Sequence, residues 1–150
     1  MCGISGQIVR DDRAVDQNLV RRMTRALAHR GPDGEGFWFD NLCGLGHRRL
    51  AVIDLETGAQ PLGNEDGSVW LVANSEIYNY PELRAELLAR GHRLSTSGDS
   101  EVILHLYEEL GDRCVEPLIG MFAFALWDRP RQRLLLGRDR PGVKPLSYAE

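Results

Sequence analysis

Apolar positions recur along the chain with two different rhythms, and the switch between them marks the elements. Residues 4–9 read as a first strand, and Asp16 is placed to cap a helix whose Leu19, Val20, Met23 and Leu27 recur at helical spacing. That helix is expected to end near His29-Arg30-Gly31-Pro32. Residues 37–39, 42–46 and 50–53 read as short strands separated by turns that include Asp40-Asn41 and Thr57-Gly58. Asn64-Glu65-Asp66-Gly67 reads as a hairpin turn before a strand at 69–73, and the plain alternative for Asn74 is a turn residue closing that strand. Pro81 sits in the first turn of a second helix, with Leu83, Leu87 and Leu88 on its apolar face and Gly91 at its end. A third helix runs from about Ser100 to Leu110, with Asp99 as a candidate N-cap and Gly111 as its stop. Residues 121–127 are apolar at odd and even positions alike, which suits a strand covered on both faces, with 133–138 as its hairpin partner. No linker or repeat interrupts the alternation, so one unit with a sandwiched sheet is expected over residues 1–150.

Composition narrows the function classes. At 150 residues, 43% hydrophobic and 27% charged, the chain can bury a core. A net charge of −4, with Lys and Arg scattered among acidic residues, offers no phosphate-binding face, so nucleic acid is not an expected partner. No apolar run has the length of a membrane span and no signal-peptide pattern opens the chain, which makes the cytoplasm the default location. Three widely spaced cysteines fit neither a disulfide framework nor paired zinc-binding units, and Cys43 and Cys114 read as core residues. His29, His47, His92 and His105 show no HExxH-type pairing, so no metal is expected.

Cys2 is the residue with the most chemistry. If Met1 is removed, the thiol and a free α-amine share one carbon, and their pKa values of about 8.5 and about 8 are close enough for the amine to accept the sulfur's proton during attack on a carbonyl. The plain alternative is a small buried hydrophobe near a terminus.

Seven stretches in order then carry a family resemblance: Cys2-Gly3-Ile4, His29-Arg30-Gly31-Pro32-Asp33, Gly46-His47-Arg48-Arg49-Leu50, Gln60-Pro61-Leu62, Glu76-Ile77-Tyr78-Asn79, Asp99-Ser100-Glu101-Val102-Ile103-Leu104 and Gly120-Met121-Phe122-Ala123-Phe124-Ala125. Together they resemble the glutaminase domain of glutamine-hydrolysing asparagine synthetases, a class II glutamine amidotransferase domain. The resemblance implies an α+β, four-layer α/β/β/α sandwich of two mostly antiparallel sheets, the N-terminal-nucleophile hydrolase fold. It also implies an activity. The thiol attacks the side-chain amide of L-glutamine to give a glutamyl thioester and ammonia, and water releases glutamate.

By the same resemblance Asn74 (side-chain NH2) and Ser75 (backbone N–H) donate to the oxyanion. Arg49 holds the α-carboxylate and Glu76 and Asp99 hold the α-ammonium, while Leu50, Val52 and Ile53 form pocket wall. Since strand side chains alternate, only one of Arg48 and Arg49 should face the pocket. No cofactor is expected in this chain; ATP and Mg²⁺ belong to a synthetase domain that in the family follows on the same polypeptide, and a homodimer is one expected assembly.

Two departures from the family pattern stand out. Ser75 replaces the usual glycine, and were a left-handed turn required there it would cost about 1 kcal/mol and tilt the donor. Pro141 replaces a bulky apolar residue and is expected to loosen local packing. The chain stops at Ser147-Tyr148-Ala149-Glu150 in what reads as a strand, so the domain is expected to be truncated at that end. The alternatives are a glutaminase serving another acceptor and a non-catalytic relic used for binding.

Overall fold

The first strand, β1 (Gly3–Ile8), and β2 (Gly34–Phe39) flank β3 (Cys43–Arg49) in a three-stranded antiparallel sheet of order β1-β3-β2. This is a computed structural model, and it describes residues 1–10, 13–51 and 57–150. A second sheet has four antiparallel strands: β4 (Leu62–Gly63), β5 (Val69–Ile77), β6 (Gly120–Asp128) and β7 (Arg133–Arg138), side by side in that order.

Helix α1 (Gln17–Ala26) begins where expected, with the Asp16 carboxylate accepting from Leu19 N at 3.0 Å. It buries Val20 and Thr24 on the outer face of the first sheet. The approach is close because Gly46 has no side chain: a Cβ there would lie 2.0 Å from Thr24 Oγ1. The outer face of the second sheet is covered by α2 (Tyr80–Ala89), with Pro81 in its first turn, and α3 (Glu101–Leu110), which stops at Gly111 with φ of 58°. The layers therefore run α1, sheet, sheet, α2 with α3, the four-layer α+β sandwich expected.

Two apolar cores follow from the layering. Leu71, Ala73 and Ile77 of β5, with Phe122, Phe124 and Leu126 of β6, pack against Leu83, Leu87, Val102, Ile103 and Leu106 of the helices. The intervening residues of the same strands, Val72, Ala125 and Trp127, turn inward and meet Cys43 and Leu45 of β3, with Ile4 and Ile8 of β1 against them. This double coverage explains why β6 is apolar at odd and even positions, and each large side chain removed from water contributes about 1.5–3 kcal/mol before entropy is set against it.

Several local expectations are corrected. Asn74 closes no turn: β5 continues through it to Ile77, and Asn74 pairs with Ala123. Ser75 lies in the same extended stretch, paired with Phe122, and Gln132 is the non-glycine residue with positive φ among those described, so the left-handed penalty feared for Ser75 does not arise. Asp99 is not the cap of α3. Ser100 occupies that position without a side-chain capping bond, and the Asp99 carboxylate turns to β5 instead.

Leu50 and Ala51 do not form a strand; their amides meet Cys2 Sγ at 3.4 Å and Asp33 Oδ2 at 2.8 Å. The rest of that predicted strand, including Val52 and Ile53, lies outside the described residues. Residues 145–150 have no regular structure, against the strand expected there. Pro141 is exposed, in a turn held by the Asp139 carboxylate, which accepts from Phe122, Val143 and Lys144 N–H groups.

Candidate active site

Even-numbered residues of β1 and β5 and odd-numbered residues of β3 face the space between the sheets, and their character changes from one end to the other. On β3 the inward series is Cys43, Leu45, His47, Arg49; on β5 it is Trp70, Val72, Asn74, Glu76; on β1, read backward, it is Ile8, Gly6, Ile4 and then Cys2. Three strands thus turn polar at the same end. A cavity of about 250 Å³ opens there, and Cys2, Arg49, Leu50, Asn74, Ser75, Glu76 and Asp99 all line it. Of the sequence-derived site residues, Val52 and Ile53 remain outside the described residues.

The cysteine sulfur is half-buried at the head of β1. It receives the Leu50 N–H at 3.4 Å, while Arg30 Nε donates to the Cys2 carbonyl at 3.2 Å and fixes the backbone of that residue. Arg48 points away, its Nε donating to Gly31 O at 2.9 Å and its Nη1 meeting Glu35 at 3.2 Å, so strand alternation leaves Arg49 facing the cavity as expected.

The edge of β5 away from β6 supplies the backbone groups. Ala73 N–H donates to Gln60 Oε1 at 2.6 Å and Ile77 N–H to Asp99 Oδ2 at 2.8 Å. Backbone amides on one edge of an antiparallel strand recur every second residue, so the Ser75 N–H leaves on that same edge, between Gln60 and Asp99, at the cavity wall. The Ser75 hydroxyl meets Ser100 Oγ at 2.8 Å and donates to Asp99 Oδ2 at 3.2 Å. Burial pushes the Asp99 carboxyl above its ordinary pKa, and the bonds from Ile77 and Ser75 oppose that shift.

His47 was passed over in the sequence as a site residue. It is buried and its Nε2 stands 3.2 Å from Ala73 O, so the side chain pins the β5 backbone one residue before Asn74. Burial, helped by the Arg49 charge, lowers its pKa to about 4, against the raising effect of the Ala73 carbonyl; near neutral pH it is uncharged and donates from Nε2. Gln60, Thr96 and Lys144 also line the cavity. Gln60 and His47 were visible only as members of motifs, since their roles depend on β5 passing between them.

A sheet-on-sheet sandwich flanked by helices, with a cysteine at the second position facing the inter-sheet cavity, defines the N-terminal-nucleophile hydrolase class of fold. The fold is shared with the solved glutamine phosphoribosylpyrophosphate amidotransferase from B. subtilis, complexed with ADP and GMP, which matches 95% of this chain and 38% of its own at a TM-score of 0.75 and 20% identity. The model of the glutamine amidotransferase domain matches residues 1–150, and the chain belongs to that family.

Among curated proteins, asparagine synthetase [glutamine-hydrolyzing] 2 of Bacillus subtilis (strain 168) is 44% identical over the full chain and 20% of its own length. Asparagine synthetase [glutamine-hydrolyzing] 2 of Oryza sativa subsp. japonica is 44% identical over 97% of the chain and 24% of its own length. The chain thus spans about a quarter or less of these relatives.

Proposed function

We propose that the chain hydrolyses the side-chain amide of L-glutamine and that the ammonia is used by an asparagine-forming domain. The observation that carries this reading is the shared cavity: the thiol, the Arg49 guanidinium, the Asn74 carboxamide, and the Glu76 and Asp99 carboxylates line one space of about 250 Å³. That volume falls below the range of about 300–1,000 Å³ typical of drug-sized ligands and suits a single amino acid.

Arg49 takes the α-carboxylate with its planar fork, and Glu76 and Asp99 take the α-ammonium. With both charged ends held, the side-chain amide is presented to Sγ. After removal of Met1 the α-amine of Cys2 accepts the thiol proton as sulfur attacks the amide carbon, then returns it to the departing nitrogen as ammonia leaves. The Asn74 NH2 and the Ser75 N–H donate to the oxyanion in the tetrahedral state. Water, activated by the same amine, attacks the thioester, expels the thiolate and yields glutamate. His47 and Gln60 act as positioning residues through Ala73. No cofactor enters this step; ATP and Mg²⁺ are assigned to the acceptor domain, and a cytoplasmic setting is in keeping with reduced thiols.

The asparagine-type acceptor is preferred to a sugar or ribosyl acceptor because the relatives at 44% identity are asparagine synthetases, whereas the phosphoribosyl enzyme shares the fold at 20% identity. The test is ammonia release from glutamine by chain whose N-terminus has been checked by intact mass. Release from the form beginning at Cys2, and none from the form retaining Met1, is expected. Equal release from both would remove the α-amine from the mechanism.

A further inference from the structure

On the helix side of the second sheet, away from the glutamine cavity, three separate stretches of chain bring two histidines and several carboxylates together. Glu65 comes from the β4–β5 turn, His92 from the segment after α2, and His105 and Glu108 from α3; one donor atom from each of Glu65, His92 and His105 lies within 4.8 Å of the others. None of these residues lines the glutamine cavity.

The two imidazoles are oriented alike. Their Nδ1 atoms converge on Glu108 Oε2, at 2.7 Å from His105 and 3.4 Å from His92, and Glu65 Oε2 stands 4.0 Å from His105 Nδ1. Their Nε2 atoms point away from Glu108 to a second pair of carboxylates: His92 to Glu109 Oε1 at 2.9 Å, His105 to Glu101 Oε1 at 3.7 Å. The Glu101–His105 pair is one helical turn apart, a spacing absent from the sequence reading.

His105 is 1% exposed, and its Nε2 is the buried side-chain polar atom without a hydrogen-bond partner among the described residues. Glu101 is itself committed elsewhere, accepting from the amides and hydroxyls of Ser95 and Thr96 at 2.7–2.8 Å. Arg90 is a nearby cation, at 3.1 Å from Glu109.

We propose that this cluster binds a divalent transition metal of the zinc type through His92 Nδ1, His105 Nδ1, Glu65 and Glu108. Imidazole and carboxylate donors suit such an ion, whereas Mg²⁺ and Ca²⁺ prefer oxygen alone. Tetrahedral coordination with bonds of about 2.0–2.1 Å sets neighbouring donors about 3.3 Å apart, a value within the range spanned by the 2.7 Å and 3.4 Å of Glu108 from the two imidazoles and the 4.0 Å of Glu65 from His105. Glu65 and Glu108 are surface side chains whose carboxylates can swing, so Glu65 can close in from the 4.0 Å at which it stands from His105.

The orientation is the stronger argument. A metal-bound histidine characteristically donates its far N–H to a carboxylate; His92 Nε2 meets Glu109 in this way at 2.9 Å, and a cation on Nδ1 of His105 would place that ring's proton on the orphaned Nε2, which faces Glu101 at 3.7 Å. The ion would clasp the β4–β5 turn, the end of α2 and α3 together. Through Glu101 it would also brace Thr96, which reaches the wall of the glutamine cavity.

The experiment titrates the full chain, in a Cys2→Ala background so that the accessible thiol does not compete, with ZnCl2 by calorimetry and with CoCl2 by absorption. The expected result is one ion per chain, visible cobalt bands without the near-ultraviolet thiolate-to-metal band, and a melting temperature raised by roughly 5–10 °C at a hundredfold excess over Kd. His92→Ala and Glu65→Ala should each weaken binding at least about tenfold, and Glu109→Gln about tenfold through His92 alone. His105→Ala risks losing the fold, so the partly exposed His92 and Glu65 carry the test. No saturable binding, affinity unchanged in the His92→Ala and Glu65→Ala variants, or a thiolate band would each overturn the proposal.

Discussion

The two ends of the space between the sheets are built on the same strands and the same alternation, yet one is filled and the other is open. At the closed end Cys43, Leu45, Val72 and Trp127 are buried, Trp38 stacks on Trp70 with centroids 5.0 Å apart, and Trp127 Nε1 finds Asp40 at 2.9 Å. At the open end the equivalent positions are Cys2, Arg49, Asn74 and Glu76 around a cavity.

Two cysteines make the contrast concrete. Cys43 is 1% exposed, and burial together with the Asp40 charge pushes its thiol far up, so it is an inert hydrophobe. Cys2 sits at a cavity beside backbone and charged groups. In the proposed mechanism reactivity belongs to the end of the layer rather than to the residue type.

The comparison can be broken in graded steps. Replacing the open-end thiol should have the largest effect: Cys2→Ala is expected to reduce ammonia release by about 10⁴-fold or more with the melting curve nearly unchanged. At the closed end the reverse pattern is expected. Trp127→Ala should cost about 3–5 kcal/mol of stability by chemical denaturation, and whatever fraction stays folded should keep its activity per molecule.

Asn74→Ala, back at the open end, should lower turnover by about 10²–10³-fold with a smaller change in KM, the sign of a group that acts on the transition state. Cys43→Ala should cost only about 1 kcal/mol and leave activity intact. Ser75→Gly, with Ser75 in an extended strand rather than a left-handed turn, should change turnover by less than about threefold; a large gain would show that serine distorts the donor.

Acid sensitivity separates the cavity from the helix layer behind it. Burial raises the Glu101 pKa, but the nearby His105 imidazole and the bonds from Ser95 and Thr96 outweigh it and hold the carboxyl at about 2, below its ordinary 4.5. A depressed carboxyl stabilises the fold above its unfolded pKa and loses that contribution as pH falls, here between about 4.5 and about 2. Glu101→Gln should flatten the stability profile in that window, and unchanged acid unfolding would contradict the assignment.

Much of this was legible in the sequence where a local signal existed. The Asp16 cap, Pro81, Gly111 and the doubly apolar β6 each act through neighbours within a few residues, and each placed its element correctly. Strand alternation required that only one of Arg48 and Arg49 face the cavity, and the family resemblance picked Arg49. What was missed depends on distant partners. The alternative of Asp99 as a cap arose because Ser100-Glu101 opens a helix, but its carboxylate is claimed by Ile77 N–H from a strand far back in the chain. His47 and Gln60 acquire roles only when β5 threads between them. Glu65, His92 and His105 have no telling spacing, since a turn, a segment after α2 and α3 are needed to bring them together.

The central claim is that the sulfur at position 2 carries the acyl group of glutamine. It is tested most directly by acid-quenching the Cys2-initiated chain during turnover and mapping any glutamyl adduct by mass spectrometry. A thioester on the N-terminal peptide, absent from Cys2→Ala, is the predicted result. Ammonia release with no adduct on that peptide, or with the adduct on Cys43 or Cys114, would contradict it.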